Sequence, residues 1–475
     1  MFFSNYRFTL LLICIHFSII SFAQHQSTAR VFKAGAAKSV ITPAIGTSIN
    51  GGFQDRTVRN IHDETYARAI VLDDGENRLA IVVSDLCMIY RETLDDAKRR
   101  ASDFTGIPWQ NMLMSATHTH TAGTACAVFQ STPDSAYQSF LAQRIADAVI
   151  RANENRIEAR IGWGIGEETS QVFNRRWKLK PGKTAINPFG EMDLVKMNPG
   201  VDNPDKLEPA GPVDPQVPVI SIISRKGDFI ATLANYSLHY VGGLGPGEIS
   251  ADYYGAFNER VSSLLGADHQ NVPFVSIMSN GTSGNINNID FSGRYKQAGG
   301  YYTQMNYVAN VLAAEVVKVI ETIEYQDWIS LVAKTDEIKL GVRLPDENDI
   351  DRAAKIVEKA EGPNMKTAEE IYARETLLLK DYPTTVQVPL QVLRIGTLAI
   401  AAIPCEVFVE TGLNIKSLST IKPVFTISLA NGYFGYLPTP EQHALGGYET
   451  WRARSSFLEV NASDKIEQTI LNLLR

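Results

Sequence analysis

The chain has 475 residues and a formal net charge of −7, with 45 Lys and Arg against 52 Asp and Glu. Binding to nucleic acid rests on clustered cations that neutralise phosphates, and this balance excludes that class of partner. The length exceeds the roughly 250 to 300 residues at which one core usually stops growing, so one large layered domain or two smaller ones fit.

In chain order, Arg7 precedes an apolar run over residues 8–22 that ends at Ala23, the pattern of a secretory signal cleaved before Gln24. The run is shorter than the roughly 20 residues of a membrane-spanning helix, and Ile13 rather than a small residue precedes Cys14. The expected product is periplasmic and has no stable membrane anchor. Beyond it Cys87, Cys126 and Cys405 form an odd, sparse set that predicts no disulfide framework.

From Lys33 strand-like and helix-like stretches alternate. The β-rich runs 67–72 and 79–84 flank the turn 73–77 and predict a hairpin. Helical periodicity appears over 92–104, 136–152, 253–265, 307–320 and 465–474. The alternation predicts an α/β fold, a mixed sheet flanked by helices, in one contiguous domain over 24–475. Residues 178–211, dense in Pro, Gly, Asn and Lys, read as a long surface loop. Residues 345–382, charged and helical, read as a helical insertion between strands that acts as a solvated cover.

Four motifs share one arrangement, an apolar run that ends in residues able to hold a metal. They are NMLMSATHTHTAG at 111–123, FIATLANYSLHYVGG at 229–243, TLAIAAIPCEVFVETG at 397–412 and VFTISLANGYFGYLPT at 424–439. Sites in α/β sheets form beyond the carboxyl ends of strands. Residues two apart on a strand share a face, so His118 and His120 are expected to face one pocket. Glu406 is expected at the start of a helix. Each motif alone fits a structural residue; together they supply imidazole, carboxylate and phenol groups, donors of the N and O type that suit zinc.

These motifs, with AAKSVITPAIG at 36–46 and ISADYYGAF at 249–257, resemble the neutral ceramidase family in content and order. The resemblance implies an α/β catalytic domain with one zinc ion held by His118, His239, Glu406 and Tyr436. It places His120 against the substrate as a proton-transfer group, and Asn174, Arg175 and Arg176 at an Asn-Arg-Ser element. The chain departs from the family in two respects. It is too short for the immunoglobulin-like domain that follows in ceramidases, and NGTSGNINN at 280–288 puts Asn287 where the catalytic serine is expected. Ser283 belongs to a different register.

Asparagine cannot be activated to an anionic acyl acceptor, so the expected reaction needs no side-chain nucleophile. Elimination of water from a uronate meets that condition, with a metal polarising the carboxylate and His120 or Tyr433 removing the adjacent proton. Asp85 and Asp252 lie near these motifs. The cations of residues 175–180, with Arg175 foremost, point to an anionic oligosaccharide. The chain type is similar to the oligosaccharide dehydratases of ulvan degradation. The alternatives are a zinc amidohydrolase that cleaves N-acyl amide bonds and a non-catalytic zinc-containing binding protein.

Overall fold

Apolar, β-branched runs form an eight-stranded sheet from β1 (Lys33–Val40), β2 (Tyr66–Asp73), β3 (Arg78–Ser84), β4 (Met112–Ala116), β5 (Ile157–Glu167), β6 (Gln216–Ser224), β7 (Phe229–Tyr236) and β8 (Val275–Asn280). Their spatial order is β8-β7-β6-β5-β1-β2-β3-β4. This computed structural model describes residues 1 and 30–475, so the expected signal, beyond Met1, lies outside the described residues. The chain divides into two compact units, Met1–Arg30 and Val31–Arg475, and every labelled element belongs to the second. Among the described residues no helix is long and apolar enough to cross a membrane.

A second sheet contains β9 (Leu331–Gly341), β10 (Thr385–Ile395), β11 (Leu398–Ala402) and β12 (Val424–Ile427), in that order. Parallel pairing occurs in three places across the two sheets: β3 with β4, β7 with β8, and β11 with β12. Parallel neighbours require a crossover, and α1 (Arg91–Thr105), α3 (Asp252–Leu264) and α7 (Val409–Leu418) provide it.

The two sheets pack face to face. Leu79, Ile81, Ile220 and Leu233 of the larger sheet share a core with Leu331, Leu393, Ile400 and Phe425 of the smaller. On the outside of the large sheet, α1 and α2 (Ser135–Glu154) cover one half through Leu94, Leu141 and Ile145. There α3 and α4 (Thr303–Ile320) cover the other half through Phe257, Leu312 and Val316. On the small sheet's outer face, Ile415 of α7 and Ile466 and Ile470 of the terminal helix 462–473 meet Val388 and Val392. Each such side chain contributes about 1.5–3 kcal/mol by full burial. The result is four layers, helix, sheet, sheet and helix.

The hairpin and the five periodic helices stand where the sequence puts them, with ends shifted by a few residues. Two expectations change. Residues 178–211 are not an irregular loop, because Val195–Met197 and Lys206–Pro209 pair on either side of Arg176–Leu179 in a small sheet. The insertion consists of α5 (Glu347–Glu358) and α6 (Ala368–Leu379), each opened by a capping box. It is more than a solvated cover, since Met365, Ile371 and Tyr372 join the core cluster that α1 and α2 also line.

Candidate metal centre

His118, His239, Glu406 and Tyr436 each follow a strand of a parallel pair, β4, β7, β11 and β12 respectively. The route to His118 differs from a simple extension of the strand. Regular β4 ends at Ala116, and His118 has φ 76, a left-handed conformation that costs a non-glycine residue roughly 1–2 kcal/mol. Its amide is fixed by the Leu86 carbonyl at 2.9 Å. This turn, rather than strand alternation, brings His118 and His120 together, with their Nε2 atoms 3.3 Å apart.

The tautomers follow from the partners. His118 Nδ1 donates to the Cys87 carbonyl at 2.8 Å, and His239 Nδ1 donates to the Ser283 carbonyl at 3.1 Å. A carbonyl can only accept, so both Nδ1 atoms carry protons, and in the neutral rings both Nε2 atoms present lone pairs. Those Nε2 atoms are 3.1 Å apart, and His118 Nε2 is 3.1 Å from Glu406 Oε2. That carboxylate oxygen is buried with no hydrogen-bond partner. Electron-rich atoms at such separations are held together by a shared proton or by a cation among them, and neutral rings suit the cation. Donor atoms of His118, His239 and Glu406 within 4.8 Å of one another fit a divalent ion, and the tethered Nδ1 atoms are the usual support of metal-binding histidines.

Without an ion, the ring favours a proton on one histidine and not on the other two. Burial disfavours charge on all three imidazoles; at His118 the Cys87 thiol and Glu406 outweigh it and hold the group well above an ordinary histidine. His120 lies well below, through burial and the charges of His118, Arg56 and Arg175. His239 lies well below through burial and Arg175.

Tyr436 pairs in register with Glu406 in a two-residue parallel ladder, so Glu406 precedes α7 on a short strand instead of opening the helix. Arg175 Nη2 donates to Tyr436 Oη at 3.1 Å and to the Gly284 carbonyl at 2.8 Å. The Tyr433 hydroxyl donates to Glu406 Oε1 at 2.9 Å, and burial followed by Glu406 raises it well above an ordinary phenol. Tyr433 therefore braces a carboxylate and is unsuited to the role of base that the sequence suggested. His120 is partly exposed and stacks on Tyr240 with ring centroids 3.7 Å apart.

The basic run does not converge on the site. Arg176 is fully buried against Glu449, while Lys178 and Lys180 face solvent beside Glu208 and Asp205. Asp85 is occupied by Arg68 and the Tyr66 amide, and Asp252 accepts from the amides of Val241 and Gly242. Both shape loops around the site. Asn287 accepts from the Ile289 amide and donates to Asn198 at 2.7 Å. Ser283 Oγ donates to Asn280 at 2.7 Å, while the Ser283 carbonyl orients His239.

Three contributors escaped the sequence reading. Gly51, with φ 94, lies where a Cβ would run into the His120 ring; the pair Gly51-Gly52 was the available hint. Tyr240, adjacent to His239, supports His120 from the other motif. Glu449 joins Arg175 to Arg176 and carries no local signature.

No family model matches the chain. The curated neutral ceramidase of Pseudomonas aeruginosa is 22% identical over 484 aligned residues, covering 88% of this chain and 68% of the ceramidase. The crystal structure of neutral ceramidase from Pseudomonas aeruginosa superposes with a TM-score of 0.71 at 18% identity, covering 94% of this chain and 74% of that one. A structure of ceramidase complexed with C2 gives 0.65 at 18% identity, covering 94% and 75%. The resemblance read from the motifs thus extends over nearly the whole chain, and the fold is that of neutral ceramidase.

Proposed function

Taking the neutral ceramidase fold as the starting point, we propose that the protein is a zinc-dependent hydrolase of N-acyl amide bonds, with His118, His239, Glu406 and Tyr436 holding the ion. The observation that carries this reading is the approach of two Nε2 atoms, 3.1 Å apart on rings whose Nδ1 atoms are tied to carbonyls, to a buried carboxylate oxygen 3.1 Å from His118 Nε2. When bound, zinc supplies a Lewis acid for a carbonyl oxygen and lowers the pKa of water.

The chain's own residues then have separable tasks. His120 turns Nε2 towards the ring and reaches the partly open side of the site, where it takes a proton from water and returns it to the leaving amine. Tyr240 stacks on that imidazole, and Gly51 packs close against it. Tyr433 directs Glu406, and Arg175 directs Tyr436. Neither Asn287 nor Ser283 takes part in bond making, so water is the nucleophile. Export to the periplasm belongs to the same proposal.

A second reading, elimination of water from a uronate-ended oligosaccharide such as an ulvan fragment, is favoured by Asn287 at the expected place of the ceramidase serine. There His120 removes the proton beside the carboxylate. Incubating zinc-loaded protein with N-acyl sphingosines and, separately, with uronate-ended oligosaccharides tests both. Liberated fatty acid without a conjugated double bond supports hydrolysis. A rising double-bond absorbance with loss of one water, and no fatty acid, replaces it by elimination. Neither product from metal-loaded protein overturns both.

A further inference from the structure

Among the described residues the largest fully buried side chain is Arg176, and it sits beside a second buried arginine. One carboxylate serves both. Glu449, itself 0% exposed, accepts from Arg175 Nε at 2.9 Å through one oxygen and from Arg176 Nη1 at 2.7 Å through the other. Arg176 is anchored independently, donating to the side chain and carbonyl of Gln442 at 2.9 and 3.1 Å and to the Gly446 carbonyl at 2.6 Å. Arg175 Nη2 donates to the Gly284 carbonyl and to Tyr436 Oη.

We infer that Glu449 is a positioning residue for the metal centre: by holding Arg175 Nε, it points the other end of that guanidinium at Tyr436 and keeps it away from Glu406. The inference rests on the metal-binding reading of the ring. Three charges are buried together, two positive and one negative, so a net positive charge faces the ring through Arg175. A buried guanidinium without a carboxylate seeks the nearest one, and Glu406 is a carboxylate whose attraction Arg175 already feels. Without Glu449, the alternative partner of Arg175 is a residue of the ring, and an Arg175–Glu406 pair competes directly with the ion for Glu406.

Arg176 explains why the clamp holds. It stands where the ceramidase-like element has serine, and three further guanidinium hydrogen bonds fix the 442–446 segment that leads into Glu449. Glu449 is therefore held from both sides before Arg175 is engaged.

The test is metal affinity of the folded protein, measured by chelator competition, with the visible spectrum of the cobalt-substituted form as a second readout. Glu449→Gln is expected to weaken zinc binding by about 10- to 100-fold, the range for partners of metal ligands, and to alter the cobalt spectrum. Glu449→Asp, which keeps the charge, is expected to recover part of the affinity. Should Glu449→Gln fail to fold, combining it with Arg176→Met retains the buried net charge of one while still depriving Arg175 of its carboxylate, and the same loss is expected. A purely structural role lowers the melting temperature but leaves affinity and spectrum unchanged, and that result overturns the inference. If the unaltered protein binds no stoichiometric zinc or cobalt, the metal-binding reading itself fails, and the inference with it.

Discussion

Glu406 and Tyr436 are register partners in a parallel ladder only two residues long. Partners in such a ladder project to the same side, so the backbone pairing places a carboxylate and a phenol together before any ion contributes. The Gly435 carbonyl accepts from the Glu406 amide at 2.9 Å, and the Ser455 carbonyl accepts from the Tyr436 amide at 2.8 Å. Half of the proposed ligand set is thus arranged by main-chain bonds, while His118 and His239 are aimed by carbonyls that grip their Nδ1 atoms.

His118→Ala and His239→Ala are each expected to lower zinc affinity by on the order of 100-fold or more, since ligand loss exceeds the effect of losing a supporting partner. Elemental analysis after dialysis checks this, and full occupancy in both variants would sink the ligand assignment. Chelation of the unaltered protein is expected to lower its melting temperature, because a ligand present at 1,000 times its Kd stabilises by about 4 kcal/mol.

Ser283→Ala is expected to retain turnover. The hydroxyl is engaged with Asn280, and the carbonyl that orients His239 survives the substitution. The lost hydrogen bond costs about 1 kcal/mol of stability. An acyl group found on Ser283 by peptide mass analysis of a trapped reaction would restore a serine mechanism.

Gly51→Ala separates chemistry from metal binding. The position has φ 94, and a Cβ there would meet the His120 ring, so the variant combines backbone strain of about 1–3 kcal/mol with displacement of the proton carrier. A misplacement of about 1 Å can cost on the order of 100-fold in rate. The expected outcome is full zinc content with turnover reduced to that extent. Unchanged turnover removes His120 from the mechanism.

Lys98 provides a pH signature. Its ammonium donates to Asn431 Oδ1 at 2.8 Å, and burial pushes its pKa down to about 8 from 10.5. Between those values the unfolded chain binds more protons than the folded one, so this group makes stability rise with pH across the window. Lys98→Met is expected to remove that rise, as measured by urea unfolding at a pH near 8 and one near 10. An unaltered pH slope contradicts the burial argument.

The residues of the ring were legible because each ends an apolar run and belongs to a donor type that zinc accepts. Their approach was less so. The left-handed turn at His118 is invisible in Thr-His-Thr-His, since nothing local distinguishes it from strand continuation. Glu449 was illegible for a different reason: its partners lie far along the chain, and a glutamate among Gly, Tyr and Thr looks like surface until the fold brings Arg175 and Arg176 to it. The basic run misled in part, because only Arg175 reaches the ring, through Tyr436, while Arg176 is buried against Glu449 and the two lysines face solvent. The hairpin and crossover helices were readable from period alone, whereas the small sheet around Arg176–Leu179 consists of strands too short to show a period.

His118 and His239 descend from the large sheet, Glu406 and Tyr436 from the small one. An ion held by all four therefore spans an interface that is otherwise made of apolar side chains, whose non-directional attraction fixes the distance between the sheets less sharply than ligand bonds do. Small shear between the sheets would open the ring while leaving most of the core buried. Loss of activity under mild denaturant should accordingly precede loss of secondary structure, and an occupied ring should make the two events coincide.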